Sequence, residues 1–237
     1  MIDQAHLSQA RYFTTGCRGV SYYEAPPDYR GECPARILTN TTDSRLIALD
    51  ALSGERCSQF GDQGEVDLTT GMGNDPRISN FQTSPPGIVR GNAVVGGWVI
   101  DNRAVGPPSG VIRAFNALSG EFAWAWDMGR PGVYTEPLRG EVYTRGTPNV
   151  WSLFSADEEL GLIYAPTGNE TPDYYGAHRL EVSEQYASSV VAIDGETGAP
   201  RWSYQTVHHD IWDYDVPSQP TLIDLPDDDG NKVKAVL

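Results

Sequence analysis

IRAFNALSGEFAWAW, residues Ile112–Trp126, sets a short apolar run against a tight-turn signal and then returns to a tryptophan. The unit recurs as LIALDALSGERCSQF (Leu46–Phe60) and VVAIDGETGAPRWSY (Val190–Tyr204). Ala48, Ala114 and Ala192 each begin an A-x-(D/N)-x-x-(S/T)-G pattern, and they lie 66 and 78 residues apart. Short apolar runs such as LIAL and VVAI, bounded by turn signals, read as strands. The Asp or Asn side chain bonds the local backbone, and the Gly supplies a positive φ, so the pattern closes a tight turn. The following strand carries Trp124 or Trp202 ten residues after the alanine, where an indole can pack on a neighbouring sheet. The first copy has Ser58 at that position and has diverged. A repeat of this length built from short strands predicts a propeller or array.

Further strand pairs fill the intervals. GIVRGNAVVGG (Gly87–Gly97) reads as a hairpin turning at Gly91-Asn92, LFSADEELGLIYAP (Leu153–Pro166) as a second pair, and PTLIDLPDDDGNKVKAVL as a hairpin through Asp227–Asn231. The expected class is all-β, with about three and a half four-stranded blades. Leu180–Tyr186 has room for one or two helical turns.

The chain has 237 residues, 25 Gly, 17 Pro and a net charge of −15. That charge repels nucleic acid and anionic membranes and is compatible with a cation site. No apolar run is long enough to span a bilayer. Cys17, Cys33 and Cys57 leave at least one thiol without an intrachain partner, and no CxxC points to zinc. The final KVKAVL is strand-like with no turn after it, so residues 1–237 are expected to be part of a larger propeller domain.

Gln205–Pro220, QTVHHDIWDYDVPSQP, concentrates chemistry. His208, His209, Asp210, Trp212, Asp213 and Asp215 follow no hydrophobic period. Aspartates beside Trp and Ile are costly to desolvate without a partner or a task. Such a carboxylate can serve as a general base or a metal ligand. On an extended segment, Asp213 and Asp215 would point to one side. The two histidines and Asp210 read as orienting or packing groups.

Together with CRGVSYY, TSPP, GTPNVW and TGNETPDYYG, these features resemble the quinoprotein dehydrogenases, in particular the membrane-bound glucose, quinate and polyol branch. The resemblance runs from about Arg11 onward. It implies an eight-bladed propeller of which this chain is roughly half. It also implies pyrroloquinoline quinone (PQQ) with Ca²⁺ or Mg²⁺, a sugar, polyol or cyclic hydroxy-acid substrate, a quinone electron acceptor, and a location on the periplasmic side of the inner membrane. In that chemistry a carboxylate takes the alcohol proton, hydride passes to the quinone, and the cation polarises the quinone carbonyl.

The resemblance assigns residues in turn. Asp213 matches the catalytic base. Asp215 matches an acid that binds metal in lanthanide-using relatives and is read here as a supporting acid. Asp101 and Asn102, after the run AVVGGWVI, match a metal carboxylate and its neighbouring amide, suited to a hard cation. Asn169 matches an amide metal ligand 44 residues before the base. Trp151, outside the repeat register, matches the indole that stacks on PQQ. Arg18 matches an arginine that pairs with a cofactor carboxylate. Thr83 matches a hydroxyl contact to the cofactor. Two departures stand out. Thr14 occupies the place of a histidine found in the bacterial glucose enzymes, and the branch's quinone-contacting lysine is expected just past Leu237. On its own the 237-residue chain is expected to be inactive and to associate through open edges. The competing reading is a non-catalytic propeller scaffold, which would keep the tryptophan turns but has no reason to keep Asp213, Asp101 and Trp151 together.

Overall fold

The computed structural model describes residues 18–73, 80–81, 84–102 and 104–237. Three four-stranded antiparallel sheets follow one another along the chain. The first runs β1 (Ser21–Glu24), β2 (Ala35–Asn40), β3 (Arg45–Asp50) and β4 (Glu65–Asp67). Next, β5 (Asn80–Phe81) pairs with β8 (Trp98–Val99) as a separate ribbon. The second sheet holds β6 (Gly87–Val89), β7 (Asn92–Val95), β9 (Ile112–Asn116) and β10 (Phe122–Trp126). The third is β11 (Ser155–Asp157), β12 (Leu162–Pro166), β13 (Ser189–Asp194) and β14 (Pro200–Gln205). A last hairpin, β15 (Leu222–Pro226) and β16 (Lys232–Val236), adds half a blade. Three and a half blades is the count that the repeat predicts. The only helical turns among the described residues are Gly176–His178 and α1 (Glu181–Glu184), inside the predicted segment or just before it. None of the described helices is long and apolar enough to cross a membrane.

The repeated turn has one geometry in all three copies. Asp50 Oδ1 accepts the amides of Leu52 and Ser53 at 3.0 and 2.7 Å, Asn116 Oδ1 those of Leu118 and Ser119 at 2.9 Å each, and Asp194 Oδ1 those of Glu196 and Thr197 at 3.1 and 2.9 Å. Gly54, Gly120 and Gly198 close these turns at φ +74°, +73° and +76°, a left-handed region that disfavours any side chain. Ala48, Ala114 and Ala192 are fully buried.

These turns are where one blade grips the next. The Trp124 indole crosses to the third copy and donates to the Gly195 carbonyl at 3.0 Å. It lies so close to Gly198 that an added Cβ would meet the ring at 2.5 Å. The first copy, which lacks this tryptophan, makes the equivalent grip with arginine. Buried Arg36 of β2 donates to the Leu118 carbonyl at 2.8 Å and to Ala117 at 3.3 Å, on the turn of the second copy. Its guanidinium also holds the Cys33 carbonyl at 2.8 Å, and Cys33 is joined to Cys57 by a disulfide. Guanidinium and disulfide thus replace the missing indole. Trp202 rests against Tyr164 with ring centroids 5.7 Å apart and is 43% exposed in this chain.

The apolar cores lie between sheets. Leu38, Leu46, Phe60, Ala93 and Phe115 fill the space between the first two, and Val89, Ile112, Trp124, Ile163 and Ile193 that between the second and third. At the first strands, hydroxyls fasten successive blades: Ser21 to the Pro86 carbonyl and Ser155 to that of Pro220, each at 2.5 Å. A groove of about 550 Å³ there is lined by Ser21, Pro86, Gly87, Phe154, Ser155 and Pro220, and contains no carboxylate.

One expected turn shifts by a residue. Val89 pairs with Asn92, so Arg90 and Gly91 make the bend, at φ +49° and +71°. Two left-handed central residues match the right-handed twist of the strands, and Asn92 is freed to begin β7.

Candidate active site

The site is made of loops that leave the strands, where an extended backbone gives way to residues that need not pair. Beyond β14, residues Asp210–Pro217 form a loop and not the extended run that the Asp-x-Asp spacing suggested. Asp213 and Asp215 both sit in the left-handed region, at φ +62° and +53°. For residues with a Cβ that conformation is disfavoured, and here the surroundings impose it. The means is Asp210, fully buried, whose carboxylate accepts the Trp212 and Tyr214 amides at 2.9 Å each and the Ser188 hydroxyl at 2.7 Å. Burial pushes the Asp210 pKa up, but these hydrogen bonds more than offset that and hold it below the ordinary carboxylate range. His208 and His209 are exposed and bond Gln205 and Glu184.

Asp215 ties three predicted residues together. Its Oδ2 accepts the Trp151 indole N–H at 2.9 Å, and its Oδ1 accepts the Asn169 amide at 2.6 Å. Gly168 lies beneath them, and a Cβ there would fall 3.0 Å from the Asp215 carboxylate. Arg18 then reaches Trp151 from above: its guanidinium carbon is 5.2 Å from the ring centroid, and Nη1 donates to the Trp151 carbonyl at 3.0 Å. The Ser84 hydroxyl binds the same carbonyl at 2.6 Å. Thr83, its neighbour, lies outside the described residues.

On the opposite side Asn102 takes a left-handed φ of +55° and grips Asp173 in both directions. Asn102 Oδ1 accepts the Asp173 amide at 3.1 Å, and its Nδ2 donates to the Asp173 carboxylate. The loop carrying Asp173 is braced further. Asn169 Nδ2 donates to the carbonyls of Asp173 and Asp210 at 3.3 and 2.8 Å, while Asn169 Oδ1 accepts the Glu170 amide at 2.9 Å. The buried Arg179 guanidinium bonds the same two carbonyls, at 2.9 Å to Asp173 and closely to Asp210. Two separate loops are thus clamped across one gap.

The carboxylates in this gap are short of positive charge. Burial, then the charges of Asp213 and Asp215, raise the Asp101 pKa to about 6. Burial, then Asp101, Asp213 and Asp215, raise that of Asp173 to about 8, against the Asn102 hydrogen bond, which lowers it. Burial also raises Asp215, and takes Glu170 to about 6. Such mutual repulsion is what a hard cation relieves, and a carboxylate with amide oxygens is a suitable donor set. The residues therefore fit a divalent ion in chemistry, although among the described residues no three acidic, His or Cys side chains converge at ligand spacing.

Between about pH 4 and pH 8 Asp173 keeps its proton in the fold and loses it in the unfolded chain. The folded state then binds more protons, so stability falls as pH rises through that window. Asp101 and Glu170 add to the fall up to about pH 6. In chelator-treated protein, Asp173→Asn is expected to flatten the loss between about pH 6 and pH 8. Melting curves across that range check it, and an unchanged slope would discard the assignment.

Residues 2–237 match the family described as PQQ glucose/ethanol/alcohol dehydrogenase, β-propeller domain. The chain belongs to that family. Among its relatives, the glycerol dehydrogenase large subunit of Gluconobacter oxydans is 46% identical over 95% of this chain and 30% of its own length. The quinate/shikimate dehydrogenase (quinone) of Acinetobacter baylyi is 38% identical over 93% of this chain and 29% of its own. The chain thus spans under a third of these relatives. The crystal structure of quinohemoprotein alcohol dehydrogenase from Comamonas testosteroni superposes with a TM-score of 0.68 over 93% of this chain and 32% of that one, at 23% identity, which supports the propeller fold.

Within the family frame, the structure brings Trp151, Asp215, Asn169 and Arg18 into direct contact and puts Asp101 and Asp213 in one electrostatic neighbourhood. Sequence reading missed Asp173, Arg179 and Tyr174. Asp173 is held by the Asn102 side chain 71 residues earlier, and Arg179 acts through the carbonyls of Asp173 and Asp210. The only signal for Asp173 was its place in TPDYYG, shortly after Asn169.

Proposed function

We propose that this chain forms the substrate-facing part of a PQQ-dependent dehydrogenase that oxidises a sugar, polyol or cyclic hydroxy acid. The observation that carries the reading is Asp215 holding Trp151 and Asn169 while Asp101, Asp173 and Asp213 crowd the same gap. A non-catalytic scaffold offers no compensation for that repulsion. The relatives' names, glycerol dehydrogenase and quinate/shikimate dehydrogenase (quinone), support a polyol or cyclic hydroxy acid and a quinone acceptor.

In this reading Asp213, exposed at the loop tip, takes the hydroxyl proton of the alcohol as general base. Trp151 offers a rigid aromatic face fixed by its N–H bond, and Arg18 supplies charge for a cofactor carboxylate at that face. Asp101 and Asn102 provide cation oxygens. Asn169, whose amide nitrogen is spent on two carbonyls, has its remaining oxygen lone pair for the ion. When bound, PQQ accepts the hydride and the cation polarises its carbonyl. The location that goes with this activity is the periplasmic side of the inner membrane.

The test uses the full-length protein that carries this sequence, purified without cofactor. Activity toward glycerol or quinate is expected to appear on adding PQQ with Ca²⁺ or Mg²⁺, and Asp101→Ala is expected to raise the cation concentration required. Turnover with NAD alone, or indifference to PQQ, would sink the proposal; the chain has no GxGxxG phosphate loop for a dinucleotide.

A further inference from the structure

Tyr174 stands between the two clamped loops. Its phenol donates to Asp213 Oδ2 at 3.0 Å, although the side chain is 62% exposed. An exposed tyrosine would ordinarily sample several rotamers. Here the backbone it leaves from is fixed at the preceding residue. The Asp173 amide is held by Asn102, and the Asp173 carbonyl by Asn169 and Arg179. The partner is fixed as well, since Asp210 binds the amides on both sides of Asp213. The hydrogen bond therefore joins two immobilised backbones and selects one orientation of an otherwise exposed carboxylate. Acceptance by Asp213 also raises the Tyr174 pKa, so the phenol keeps its proton and remains a donor. Tyr175, the next residue, turns away and meets His178, ring centroids 5.3 Å apart.

We propose that Tyr174 is a positioning residue for Asp213: its phenol occupies Oδ2 and leaves Oδ1 to receive the substrate hydroxyl proton. The inference rests on the dehydrogenase reading above. A donor on one oxygen fixes the direction of the other, which matters because a general base must lie within hydrogen-bond reach of the proton it removes. Removing the phenol leaves the carboxylate charged but free to rotate. Turnover should suffer, while binding of substrate and cofactor should not.

The test compares Tyr174→Phe, Tyr175→Phe and Asp213→Asn in the full-length holoenzyme loaded with PQQ and Ca²⁺, with glycerol as substrate. Tyr174→Phe is expected to lower kcat about tenfold, the scale of losing one hydrogen bond to a charged group, with KM and PQQ affinity within about twofold of the parent. Tyr175→Phe is expected to match the parent. If Asp213→Asn is inactive and Tyr174→Phe turns over like the parent, the positioning role is wrong and the dehydrogenase reading stands. If the Tyr174→Phe loss lies in KM or PQQ affinity, the positioning role is likewise wrong. If Asp213→Asn turns over like the parent, the site reading itself falls, and the role of Tyr174 with it.

Discussion

Asp213→Asn in the full-length protein is expected to lower kcat by roughly 10²-fold or more, the scale of losing a positioned general base. The amide is nearly isosteric with the carboxylate and can still accept from the Tyr174 phenol on its oxygen. The loop keeps its shape because Asp210, not Asp213, binds its amides. PQQ binding and the melting temperature should therefore hold while turnover collapses. Steady-state kinetics beside a cofactor titration separate the two, and a variant with both turnover and binding intact would remove Asp213 from the chemistry.

The largest stability effect is expected at Trp124. Its indole is 1% exposed, fills the core between the second and third sheets, and bonds the Gly195 carbonyl. Trp124→Ala removes the ring and leaves a cavity walled by Val89, Ile112 and Ile193, at a cost of about 3–5 kcal/mol. Denaturant melts of the parent and the variant check it. A loss under about 1 kcal/mol would mean that the indole-to-turn grip is not what joins these blades.

Much of this fold is legible in sequence because its grammar is local. The Asx bonds and the left-handed glycine that close each repeated turn lie within a few residues of one another, so Asp50, Asn116 and Asp194 announce their turns without tertiary help. The half blade at β15–β16 is visible for the same reason. What was hidden depends on distance. Arg36 takes the place of an indole by reaching carbonyls 81 and 82 residues away, and no short pattern records that. Asp173 matters through Asn102, 71 residues earlier. The Asp-x-Asp spacing suggested an extended run, but a loop built around the buried Asp210 carboxylate carries both acids. Of the candidate site residues, Trp151 touches Asp215 and Arg18, Asp215 touches Asn169, Asp101 and Asp213 lie within electrostatic reach, and Thr83 lies outside the described residues. Arg179 was not legible because it acts through the carbonyls of Asp173 and Asp210, and backbone partners leave no residue signature.

Trp151, the Asp101–Asn102 pair and Asp213 are expected to face one bound cofactor, which a high-resolution structure of the full-length protein with PQQ and Ca²⁺ would show. The predicted result is PQQ stacked on the Trp151 indole, the cation held by Asp101 and Asn102, and the Asp213 carboxylate facing the quinone with Tyr174 still on its outer oxygen. A cofactor bound away from Trp151, or a cation that touches neither Asp101 nor Asn102, would mean that these residues do not form the site.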